Sequence, residues 1–103
     1  MMHELMEIAK FLRKEMDMAE SYAYEAAKHK AEMPDLAHHY YKGALEHLVI
    51  ADMIREGGHR MVDEHRRLEH EDHAKMHDVW AFECEMAAMQ RECVQRKLEM
   101  YKG

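Results

Sequence analysis

From Leu5 to Met33 the chain places Leu5, Ile8, Leu12, Glu15, Ala19, Tyr22, Ala26, His29 and Met33 at alternating steps of three and four residues. Residues so spaced stack on one side of an α-helix, so the pattern predicts a helical seam. Met6, Ala9, Met16, Ala23 and Ala27 widen the stripe, as expected for a helix packed against two neighbours. Lys10, Arg13, Lys14, Asp17, Lys28 and Lys30 are left for solvent.

Met33-Pro34-Asp35 punctuates this run, because proline restricts the residue before it and suits the first turn of a new helix. A second helix is predicted from about Asp35, with Ala37, Tyr40, Ala44, His47, Ala51 and Ile54 on its seam. So short a connection makes the two helices antiparallel neighbours. Gly57-Gly58 is read as the end of the second helix, since each glycine costs a helix interior about 1 kcal/mol relative to alanine. The alternative is one helix to about Leu68, with the break near Asp72, because Gly58, Met61, His65 and Leu68 continue the seam in phase. The last helix runs from about Lys75 to Tyr101, its seam being Val79, Phe82, Met86, Met89, Cys93 and Met100. Met76, Trp80, Ala87, Val94, Leu98 and Tyr101 flank it.

Composition narrows this to one all-α domain spanning residues 1–103: an antiparallel three-helix unit with only 4 Gly and 1 Pro. The apolar surplus on the third helix predicts completion of the bundle by oligomerisation, most simply as a two-fold homodimer. With a net charge of -6 and basic residues scattered among acidic ones, a nucleic-acid footprint is not expected. Protonating all 10 His would reverse the sign of that charge, so solubility and assembly are expected to change in mildly acid solution. No apolar window is long enough for a membrane span and no leader pattern is evident, which predicts a cytoplasmic protein. Cys84 and Cys93, roughly 13 Å apart along one helix axis, are out of reach of each other there.

The candidate chemistry lies in the first two helices. Glu15 and His47 interrupt apolar seams, where a carboxylate is costly unless paired or coordinated. Counted from the Pro34 turn, the two fall within about two helical turns of the same level. Glu20 and Glu46 flank the seams, and Tyr22 and Tyr40 add phenols, so Glu15, Glu20, Glu46 and His47 form a candidate metal site.

Glu15 and Tyr22, followed by Tyr40, Ala44 and Ala51, resemble the first helix pair of ferritin-like, rubrerythrin-type proteins. In that pattern a Glu precedes a Tyr by seven residues, and the next helix carries an aromatic residue, an Ala and then Glu-x-x-His-Ala. Here the last motif reads His47-Leu48-Val49-Ile50-Ala51, a degenerate form in which His47 replaces the Glu and Ile50 the His. The resemblance implies a bundle built round a di-metal carboxylate centre for redox chemistry or iron storage. The substitutions imply that this centre is altered or lost, leaving a role in binding a divalent ion (Fe, Mn or Zn) or in assembly. An unorthodox di-metal oxidoreductase and a structural or adaptor protein of phage-related kind are the rival readings.

A second candidate metal cluster is Glu69, His70, His73 and His77, where His73 and His77 sit one turn apart and suit Zn2+, Ni2+ or Cu2+. The plainer reading of that stretch is a solvated helix face. The 12 methionines fall mostly at seam positions and are expected in the core, with a Met-rich dimer face the next reading.

Overall fold

The computed structural model describes residues 2–68 and 73–103, nearly all of them in three helices: α1 (Met2–His29), α2 (Pro34–Leu68) and α3 (His73–Lys102). Its long dimension is 56 Å, set by α2, whose 35 residues span about 52 Å at 1.5 Å each. Between α1 and α2 the chain turns where the sequence places the break. Met33 N–H donates to His29 O, and the Met33 carbonyl accepts from Ala37 N–H, each at 2.9 Å. Pro34 thus occupies the first helical position, where its missing N–H costs nothing.

α1 lies against both other helices. Its buried residues are Leu5, Ala9, Leu12, Met16, Ala19, Ala23 and Ala26. Ile8, Glu15, Tyr22 and His29 of the expected seam are partly buried and its last member, Met33, is exposed, with Glu15, Tyr22 and His29 reaching partners on α2. Alanine dominates this face, so the helices approach closely and larger side chains need a seat. Gly43 supplies one on α2: a Cβ there would fall 2.5 Å from Cδ2 and 2.8 Å from Cε2 of Tyr22.

Gly57-Gly58 does not end the second helix, which continues unbroken to Leu68. The reason is the indole of Trp80, which lies so close to Gly58 that an added Cβ would be 2.6 Å from Cε2 and closer still to two other ring atoms. Trp80 is 3 % exposed, and its Nε1–H donates to His59 Nδ1 at 2.9 Å. Burying a tryptophan outweighs a helix-propensity cost of about 1 kcal/mol. Gly57 faces open space. Gly57→Ala is therefore expected to stabilise the protein by about 0.5–1 kcal/mol in urea unfolding, a gain that a helix end at this pair would not give.

The seam of α3 is a second correction. Its buried residues are Met76, Trp80, Glu83, Val94 and Leu98, whereas Phe82, Met86, Met89 and Met100 of the expected seam are exposed. The flank packs inward because it holds the tryptophan that fits Gly58 and a small residue, Ala87, next to α1 and α2. Buried Glu83 is tolerated beside Arg13, with Nε 3.4 Å from Oε2. Tyr41 and Tyr101 stack at 4.7 Å, bringing the far ends of α2 and α3 together. Between that stack and Trp80 the two helices part, leaving a groove of about 520 Å³ floored by Leu12 and Met16. Arg91 crosses it, donating to the Asp52 carboxylate and, at 3.4 Å, to Leu48 O. No described helix is long and apolar enough to cross a membrane.

Candidate functional site

The seams of α1 and α2 bring Glu15 and His47 into direct contact, with His47 Nδ1 2.5 Å from Glu15 Oε2. Their side chains are 20 % and 18 % exposed, so the pair sits at the rim of the interface. Tyr22 presents its ring edge-on to the imidazole at 5.1 Å and to Tyr40 at 5.6 Å. Tyr40 in turn stacks on His29 at 6.1 Å, and His29 Nε2 lies 2.9 Å from Glu25 Oε2. The α1–α2 interface therefore carries a polar and aromatic ladder with a carboxylate–imidazole pair at each end.

The other two carboxylates of the expected site point elsewhere. Glu20 is five residues from Glu15, about 140° round the helix, and it faces α3. There it accepts from Gln90 Nε2 at 3.0 Å and from Lys97 Nζ at 3.3 Å. Gln90 also donates to Asp17 at 2.7 Å. Glu46 is exposed, and Ile50 is 40 % exposed. Of the four predicted residues, only Glu15 and His47 meet.

A carboxylate held on one imidazole nitrogen fixes the ring's tautomer and orientation. With Nδ1 donating to Glu15, only Nε2 of His47 is left to engage anything further. The pair can orient an imidazole and tie α1 to α2. Among the described residues, no group of three or more His, Cys, Asp or Glu side chains is placed to hold a metal ion.

At the other end of α2 three imidazoles gather. His65 is 3 % exposed, its ring 6.3 Å from that of His73, which is 6.1 Å from that of His77. Glu69 and His70 of the second predicted cluster lie outside the described residues. His65 is recognisable in the sequence only as a polar residue in phase with a buried seam.

The polar contacts between α1 and α3 were also hidden from spacing. Glu83 and Gln90 fall on the inward face of α3 only once Trp80 sets its rotation. Cys84 and Cys93 are both free thiols, and burial pushes the Cys84 thiol up, partly offset by Arg55. Cys84 is accordingly expected to react with a thiol-specific disulfide reagent more slowly than an unburied cysteine at the same pH, as stopped-flow absorbance would measure. Comparison with models of known protein families, with curated proteins and with solved structures finds no match to this chain.

Proposed function

We propose that the protein works by assembly: an antiparallel three-helix unit of ferritin-like type that pairs with a second copy through the outer face of α3, its ancestral metal chemistry lost. The antiparallel order is supported by the contacts, since Glu15, Tyr22 and His29 of α1 meet His47, Gly43 and Tyr40 of α2 in descending order. The observation that carries the reading is that α3 has an outward apolar strip besides its buried one. Its inner face holds Met76, Trp80, Val94 and Leu98, while Phe82 is 59 %, Met86 45 % and Met89 58 % exposed on the outer. A second apolar strip on a helix already packed along one side is a surface suited to a partner.

A second copy suits this face better than an unrelated partner. The apolar strip borders a groove of about 620 Å³ whose lining also holds two cations, Arg13 and Arg96, and three anions, Asp17, Glu83 and Glu92. In a two-fold contact each patch meets itself, so one protomer's cations can face its partner's anions. Metal-centred turnover has less support, because Glu15 and His47 satisfy each other and Glu20 is engaged with α3.

The test is sedimentation equilibrium of the wild-type chain and of Phe82→Glu and Met89→Glu. Both positions are exposed in the protomer, so helicity should be unchanged. The dissociation constant should rise about tenfold or more, as expected when a charge enters an apolar interface core. A wild-type chain that stays monomeric at high concentration would sink the reading.

A further inference from the structure

The end of α2 and the start of α3 bring together three histidines that the Glu15–His47 region does not use. His65 lies in the last turn of α2, His73 is the first residue of α3, and His77 stands one turn further on. The ring-to-ring distances are 6.3 Å from His65 to His73 and 6.1 Å from His73 to His77. A ring bound through nitrogen at about 2.1 Å has its centre roughly 3.2 Å from the ion, so rings sharing a tetrahedral ion are about 5 Å apart. The observed rings are about 1 Å wider than that, a gap that small rotations of side chains on adjoining helical turns can close.

His73 supplies an independent observation. Its Nδ1 is buried and has no hydrogen-bond partner among the described residues. Buried polar nitrogens are nearly always satisfied, and an orphaned one marks a place where an unseen partner would be welcome. His77 is exposed, its Nδ1 3.5 Å from Asp78 Oδ1, so its ring is free to swing without disturbing the core.

We propose that His65, His73 and His77 form a binding site for one divalent transition-metal ion of borderline softness, with Zn2+ the representative ion and solvent in the fourth position. Neutral imidazoles favour such ions over Mg2+ or Ca2+, which take oxygen ligands. The site is separate from Glu15–His47, since eighteen residues of α2 between His47 and His65 span about 27 Å. Coordination would link the last turn of α2 to the first turn of α3. As the side chains stand, no three donors converge among the described residues, so binding draws the rings together. A metal-linked rise in stability follows.

The experiment is calorimetric titration of the untagged full-length chain with Zn2+ near neutral pH, alongside thermal unfolding with and without the ion. One ion should bind per chain and raise the unfolding temperature. His73→Ala and His77→Ala should each weaken binding about tenfold or more, while the Glu15→Ala/His47→Ala variant should bind Zn2+ as the wild type does. His77 is exposed, so loss of binding in its variant is not a folding defect; circular dichroism checks His73→Ala and a milder His65→Gln. Absence of binding, or wild-type affinity in the His73 and His77 variants, overturns the proposal. So does loss of binding confined to the Glu15/His47 variant.

Discussion

Replacing Gly58 with alanine should destabilise the protein by about 3 kcal/mol, although the same change in an ordinary helix interior gains about 1 kcal/mol. The sign is reversed because the space a methyl would occupy already holds three atoms of the Trp80 indole. That ring cannot retreat cheaply. It is 3 % exposed, packed in the core with Val62 and Met76, and tethered by its Nε1–H to His59. Either the indole leaves its seat, or α2 and α3 separate near the end where they approach closely. Urea unfolding of Gly58→Ala measures the cost. The partner is identified by adding Trp80→Phe: the smaller ring should cost much less in the Gly58→Ala background than in the wild type, a coupling of about 1 kcal/mol or more between contacting residues. Additive losses would mean that the indole is not what the glycine accommodates.

The same contact explains why part of the fold is legible in the sequence and part is not. In α1 and α2 the in-phase seam is the buried one, although Phe11 on α1 and Leu45, Val49, Ile50 and Met53 on α2 are apolar and exposed. α3 has two candidate stripes. Phe82, Met86 and Met89 make the more regular stripe, and spacing favours them; the buried stripe contains Glu83, and Gln90 and Arg91 lie at its edges, which reads as broken. What decides between them is shape: the tryptophan finds a glycine on α2, and Glu83 and Gln90 find Arg13 and Asp17 on α1. Those are relations between distant residues, which a one-helix period cannot register. The glycine pair misleads for the same reason, since local propensity sees the cost of Gly58 and not its occupant.

The candidate site divides along the same line. Counting residues from Pro34 puts Glu15 and His47 near one level, and they meet. Counting cannot tell which way a carboxylate on the rim of a seam turns, and Glu20 turns to the Lys97 and Gln90 of a helix seventy residues away. A site that looked like four ligands is a pair plus two carboxylates with other business. The pair's geometry then suggests a different use, as a polar contact that fixes how α1 slides along α2.

That use makes a sharp expectation for the pair. His47→Ala should cost about 2 kcal/mol, because it strands a carboxylate at a largely apolar interface. The figure is below that of a fully buried ion pair, since Glu15 keeps 20 % of its side-chain surface in water. Glu15→Ala should cost less, as a neutral imidazole is cheaper to leave without its partner. Replacing both residues by leucine should recover most of the loss and give stability within about 1 kcal/mol of wild type, or above it, because an apolar pair carries no desolvation cost. Chemical unfolding of these proteins together with Glu15→Ala/His47→Ala closes the mutant cycle and gives the coupling. If the single variants are neutral, the contact is not holding the helices. If the double-leucine protein is stable but its sedimentation shows a changed assembly, the polar pair is specifying register, since leucines at the same positions can pack in more than one alignment. If it is stable and assembles normally, the pair is dispensable to architecture, and a need for an oriented His47 Nε2 becomes the remaining reason for two polar residues on an apolar seam.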